Sequence, residues 1–316
     1  MRKILGAVTA VVLIAVLAVA YVWGPTYTAK LNGQARFFGT DTPARYAQTA
    51  LELADNGVYA DTERYAEARA AVEDAAKHAT SREELYPLIH EAARAAGGRH
   101  SGLLRPGAEA ERDASPAAPA QAEVTRDGGV ALATVPAISR NMDGKSYAEA
   151  LAGGLADARD GGACGAIVDL RGNYGGDPRP MMEGLSPLLP EGPVIWWDST
   201  FDREPLEVAG NSADKWDAPV AVLVDGATAS AGELAMMAFR GLERSQSFGA
   251  PTSGLASSNA IFDFPDGSAL VITDGYFVAR TGETFEYVSV PPDVDARLSE
   301  TLPAAKRWLA EEHGCS

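Results

Sequence analysis

The stretch Ala221-Val222-Leu223-Val224-Asp225-Gly226-Ala227-Thr228-Ala229-Ser230-Ala231 decides the fold. Its four leading apolar residues read as a buried strand, Asp225-Gly226 opens a tight turn, and the pattern from Ala231 to Leu242 is helical. Strand, turn and helix in succession are the unit of an α/β layer. The turn leaves the Ser230 hydroxyl at the corner, where the first helical N–H groups have no intrahelical partner and face any developing negative charge. Ser230 is therefore a candidate nucleophile. Serine is also a favoured helix N-cap, and the turn by itself leaves both readings open.

Outward from that corner, short β-rich runs recur at Val130–Ile138, Ala166–Leu170, Val194–Trp197, Val220–Val224, Ala260–Phe264 and Ala269–Thr273. Helical runs at Tyr147–Arg159 and Ala231–Leu242 separate several of them, and Pro265-Asp266-Gly267-Ser268 reads as a hairpin turn. The expected core is α/β with a mixed sheet over residues 124–316. Before it, an Ala-rich region at 40–98 predicts a small helical bundle. Its helices are Pro43–Ala54, about Thr62–Lys77, and one from a Ser81/Glu84 capping box to Gly97-Gly98. Tyr46, Leu51, Tyr65, Val72, Leu85 and Ile89 recur at helical spacing as its core. Residues 99–123 form a junction, in which Ala108–Ala122, rich in Ala, Pro and charge, reads as a mobile loop or flap over a peptide groove.

Residues Ile4–Trp23 carry no charged side chain and follow Arg2-Lys3. Twenty helical residues at about 1.5 Å each match a hydrocarbon core of about 30 Å. Positive charge before the segment favours export of everything after it. Residues 1–24 thus read as a membrane anchor ending in Tyr21-Val22-Trp23, or as a signal peptide cut at Ala18-Val19-Ala20, with 25–39 an exported linker. The net charge of −16, with no basic stretch beyond the N-terminus, argues against nucleic acid; it can attract a cationic peptide substrate, although a solvated acidic surface is the commoner reason for such a charge. Two cysteines, Cys164 and Cys315, do not make a disulfide scaffold, and Cys164, entering an apolar strand, reads as a small core residue. His78, His90, His100 and His313 are scattered, so neither metal nor cofactor is expected.

A second motif, Asp169-Leu170-Arg171-Gly172-Asn173-Tyr174-Gly175-Gly176, follows the strand Ala166-Ile167-Val168. Paired glycines after a strand let backbone approach a ligand and aim an N–H at it. Together with Thr228-Ala229-Ser230-Ala231-Gly232-Glu233, it resembles the D-L-R-x-N-x-G-G and T-A-S-A-x-E segments of the tail-specific, or C-terminal processing, serine protease superfamily. The resemblance covers about Val130 to Val294. It implies a ClpP/crotonase-like mixed-sheet core and Ser230 as nucleophile. It also implies an oxyanion hole from the amides of Ala231 and of Gly175 or Gly176, with Thr228 and Ala229 beside the substrate. Members with a Ser-Lys dyad carry T-x-G-K, whereas this chain has Thr252-Ser253-Gly254-Leu255. Leucine cannot accept a proton, so another base is required.

The tricorn-like branch of that superfamily uses histidine, and His100 in Gly98-Arg99-His100-Ser101-Gly102 stands at the junction where it would enter. Glu286 falls on the branch's glutamate in Glu286-Tyr287-Val288-Ser289-Val290-Pro291-Pro292-Asp293, with Ser289 in place of a glycine. It is the candidate to orient the imidazole. No stretch reads as a PDZ domain. A narrower likeness is to membrane-anchored members that cut the C-terminal end off lanthionine-bridged antimicrobial peptides such as nisin. The implied activity is exported serine endopeptidase action near a peptide C-terminus. A general tail protease and a catalytically dead peptide-binding protein are the alternatives.

Overall fold

In the computed structural model, which describes residues 2–113, 121–199, 203–207 and 215–316, the apolar run Ile4–Trp23 is the first part of one longer helix, α1 (Arg2–Asn32). The expected linker is therefore helical as far as Asn32. Pro25 lacks the N–H that a helix interior needs, but tertiary packing outweighs it. Thr26 and Ala29 are buried, and Thr26 Oγ1 donates to Glu52 Oε2 at 2.5 Å. Gly33, at φ 76°, ends the helix, its amide bonding Ala29 O at 2.7 Å.

Helices α2 (Pro43–Ala54) and α3 (Glu63–Ala76) start where Thr42 and Thr62 accept the amides of Arg45 and Tyr65. The third, α4 (Tyr86–Gly97), starts five residues later than the expected Ser81. A start at Ser81 would put Pro87 in the helix interior; as built, it occupies the first turn, where no N–H is needed. Glu84 instead closes a preceding turn by accepting Thr80 N and Oγ1. All six apolar positions expected in this bundle, from Tyr46 to Ile89, are buried. Next come β1 (Gly102–Leu104) and a short helix, α5 (Ala108–Asp113), at the front of the expected flap. Residues 114–120 of that flap lie outside the described residues.

The chain then builds an α/β layer: β2 (Glu123–Asp127), β3 (Val130–Thr134), α6 (Gly144–Asp160), β4 (Gly165–Asp169), α7 (Pro178–Leu185), the hairpin β5 (Pro193–Ser199) and β6 (Arg203–Glu207), β7 (Val220–Val224), α8 (Ala231–Phe239) and β8 (Ser245–Gly249). After the β9 (Ser257–Asp263) and β10 (Ala269–Ala279) hairpin come β11 (Val294–Asp295) and α9 (Leu298–His313). The sheet order is β11-β8-β7-β4-β3-β2, parallel throughout except for edge strand β2. Alternation within β7 decides both faces. Val220, Val222 and Val224 join the core with residues of α6, α7 and α8, while Ala221 and Leu223 pack with Ala305 and Leu309 of α9.

Two compact units result, one of Met1–Arg112 with Asn259–Gly275, the other of Asp113–Ser258 with Tyr276–Ser316. The hairpin turn at Pro265–Ser268 forms as expected, with Phe264 N bonding Ser268 O at 2.9 Å. Phe262, Phe264, Leu270 and Ile272 complete the core of the helical unit, and Tyr46 Oη meets Ser268 Oγ at 2.6 Å. In the second unit Cys164 and Cys315 form a disulfide, with Cα atoms 5.5 Å apart. Cys164 is exposed rather than a core residue, while its partner Cys315 is fully buried.

Candidate active site

Ser230 sits at φ 54°, ψ −119°, backbone that a residue with a Cβ rarely adopts. Such strain costs about 1–3 kcal/mol and persists only where neighbours over-determine it. The chief neighbour is Glu233, fully buried one turn into α8. Its Oε2 accepts the amides of Ser230 (2.9 Å) and Leu255 (2.8 Å). Its Oε1 accepts the Gly254 amide (2.7 Å) and the Thr252 hydroxyl (2.5 Å). The carboxylate thus ties the corner to the 252–255 segment.

From the other side, Asp225 Oδ1 accepts the amides of Gly172, Ala227 and Thr228 at 3.0–3.1 Å, joining the glycine loop to the turn. Thr228 and Ala229, expected beside the substrate, are closed into this brace. Thr228 is fully buried and its hydroxyl donates to Leu170 O at 2.9 Å. Ala229 is buried, with its amide on Asn173 O at 2.9 Å. Each satisfies polar groups the turn would otherwise leave unpaired.

The two glycines have separate parts. Gly175, at φ 103°, lies so close that a Cβ there would come 2.7 Å from Ser230 Cβ and 3.0 Å from Ala231 N. Its amide is taken by Asn173 Oδ1 at 2.8 Å. Gly176, at φ 111°, passes Ile138, where a Cβ would stand 1.9 Å from the carbonyl oxygen. The Gly175 N–H is thus engaged within its own loop. Ala231 is the first helical residue and has no intrahelical acceptor.

His100 belongs to the first unit and Ser230 to the second. The imidazole is half-buried. Burial, and then the Arg99 charge, push its pKa down to about 4. Asn259 Nδ2 lies 3.1 Å from both ring nitrogens. The chain of donors behind it has one direction. Thr273 N donates to Ser101 Oγ (2.8 Å), Ser101 Oγ to Thr273 Oγ1 (3.2 Å), and Thr273 Oγ1 to Asn259 Oδ1 (2.7 Å). That leaves the Asn259 amide to give an N–H to the ring. Asn259 carried no signal in the sequence, being 159 positions from His100. Glu286, the expected orienting carboxylate, lies in the second unit and is exposed. Of the other histidines, His90 Nδ1 accepts the Leu103 amide at 3.2 Å, His313 stacks on Trp308, and His78 is exposed. A cavity of about 530 Å³ touches Leu188, Trp216, Val220 and Leu242, at the end of β7 remote from Ser230.

The peptidase family S41 matches residues 130–296, a span that holds the serine corner and the glycine loop. The nisin-resistance protein of Lactococcus lactis subsp. lactis is 28% identical over 312 residues, covering 94% of each chain. The carboxy-terminal processing protease CtpA of Bacillus subtilis is 28% identical over 159 residues, 49% of this chain and 34% of that one. Among solved structures, a lipoprotein from Streptococcus agalactiae superposes with a TM-score of 0.78 at 25% identity, covering 88% of this chain and 99% of the other. The photosystem II D1 C-terminal processing protease shares the fold, with a TM-score of 0.61 at 14% identity over 82% of this chain and 94% of its own.

Proposed function

Because the chain belongs to peptidase family S41 and is a serine peptidase, we propose that it hydrolyses peptides near their C-terminus through Ser230, with His100 as the base. The observation that carries this is the strained serine, held by Glu233 with Gly175 packed against it, and the amides of Ala231 and Gly176 are assigned as the oxyanion donors. Ser230 Oγ attacks the scissile carbonyl while His100, neutral at physiological pH, takes its proton and returns it to the leaving amine. The two amides receive the oxyanion; losing one such donor costs about 3 kcal/mol in barrier. Gly175 holds the loop against the serine instead of donating. Asn259 positions the imidazole in place of Glu286. Water then releases the acyl group by the same proton path in reverse.

The likeness to a nisin-resistance protein along nearly the whole chain supports a lanthionine-bridged cationic peptide as substrate, as does the net charge of −16. The setting is extracytoplasmic, with α1 as anchor. The Cys164–Cys315 disulfide suits an oxidising compartment, and Arg2-Lys3 before the apolar run favours export. Retention of the anchor is supported because α1 runs unbroken through Ala18-Val19-Ala20, and Arg45 stacks on the Tyr21 ring at 3.7 Å.

The test is intact-mass analysis of nisin and of a linear cationic peptide, each incubated with the full-length protein, Ser230→Ala and His100→Ala. A C-terminally truncated product from wild type alone is expected, with nisin consumed faster. Equal cleavage of both peptides would favour a general tail protease. Cleavage by Ser230→Ala would remove the nucleophile assigned here.

A further inference from the structure

We infer that the outer face of α1, beyond its membrane-crossing part, is a docking surface for anionic lipid headgroups that holds the helical unit against the bilayer. This rests on the reading of α1 as a retained anchor. The inner face of the helix past Trp23 is Pro25, Thr26 and Ala29, all buried in the helical unit. The opposite face carries Trp23, Tyr27 and Leu31 at four-residue spacing, and the last two are 77% and 84% exposed. A helix packed on a soluble bundle ordinarily turns polar residues outward. Phe38, half-exposed, extends the same face by lying against Gly24, where a Cβ would come 2.7 Å from its ring.

Charge and continuity identify the occupant. All 43 acidic residues lie beyond Thr40, so the segment from Gly24 to Thr40 itself carries Lys30 and Arg36 and no carboxylate, on a chain whose net charge is −16; Glu52 of α2 meets only its inner face, through Thr26. Both basic residues are exposed. The stripe continues the apolar surface of Val12–Val22 without a break. Along the axis Tyr27 stands about 6 Å and Leu31 about 12 Å beyond Trp23. The headgroup layer adds about 5–8 Å to each side of the hydrocarbon. Tyr27 thus falls within it, and tilting toward this face, as membrane helices commonly do, brings Leu31 down to it. Aromatic and basic residues at that depth are the usual anchors. The packing of Thr26 and Ala29 into the helical unit then keeps the unit at the lipid surface, where a membrane-bound cationic peptide would be met.

The experiment uses the full chain in vesicles of phosphatidylglycerol and phosphatidylcholine. An environment-sensitive fluorophore is placed at Leu13→Cys, Tyr27→Cys, Leu31→Cys or Glu67→Cys, and lipids carry a nitroxide near the headgroup or, to read position 13, near the end of the acyl chain. At least twofold greater quenching at positions 27 and 31 than at 67 is expected. Adding Lys30→Glu and Arg36→Glu should lower quenching at 31 in anionic vesicles and leave it unchanged in phosphatidylcholine alone. Quenching at 13 with none above the position-67 level at 27 and 31 would overturn the docking surface and leave the anchor standing. No quenching at 13 would overturn the anchor, and the docking surface with it. Insensitivity to the charge reversal would overturn the role of anionic headgroups.

Discussion

The serine corner and the surroundings of His100 are built in opposite ways. Around Ser230, the brace comes from residues within one unit and mostly within two short motifs: Asp225, Thr228 and Glu233 on one side, Asn173 and Gly175 on the other. Around His100, the ring is met by Asn259, and the donors behind it alternate between Ser101 and Thr273, which lie 172 positions apart. The strain at Ser230, the proposed nucleophile, needs dense local over-determination. His100, the proposed base, needs a set pKa and a fixed ring, which a few distant contacts supply. The corner should therefore fail abruptly when a brace is removed, and the imidazole should fail gradually.

The largest expected effect is Glu233→Ala. It leaves buried amide and hydroxyl donors without an acceptor, each costing about 1–3 kcal/mol. Peptide hydrolysis should fall on the order of 10³-fold, with a lowered unfolding temperature; Glu233→Gln, which keeps one acceptor oxygen, should lie between. Wild-type activity in Glu233→Ala would break the comparison at its root.

Next is Asn259→Ala, expected to lower kcat about tenfold, as loss of a positioning contact does. It should also move the acid limb of the kcat/KM profile upward, because water reaching the ring relieves the burial that holds its pKa near 4. Wild type should stay active to about pH 4, where the base protonates. A tenfold loss with an unmoved acid limb would make Asn259 a packing residue only. The stability sign follows from the same shift. Between the ordinary value of 6.5 and the folded value of about 4, the unfolded chain binds a proton that the fold refuses. Stability therefore falls as pH drops through that window, and His100→Asn should flatten the fall.

The smallest effect belongs to Arg99→Gln, which removes the second cause of the lowered pKa. A smaller upward shift of the acid limb is expected, larger at low ionic strength. A downward shift would contradict the electrostatic account of the imidazole.

Legibility in the sequence followed the same division. The corner could be read because strand, turn and helix are consecutive, and β7 begins and ends at the expected residues. The start of α4 was misplaced because Ser81 and Glu84 look like a cap, although Pro87 already limited how far upstream a helix could begin. Thr228 and Ala229 were read as facing substrate because a motif shows adjacency and not direction. Asn259 was invisible: a lone asparagine in a strand looks the same whether it faces solvent or an imidazole.

By itself, the sequence determined the α/β class, the helical bundle with its buried positions and the serine at the turn. These rest on local periodicity and turn chemistry. Tertiary structure alone decided that helix α1 continues past Pro25, that Cys164 meets Cys315, and that the β9–β10 hairpin completes the helical core. Each of those outcomes depends on where a distant group finds its partner, and a hydrogen bond, a disulfide or a packed ring is specified by both ends at once.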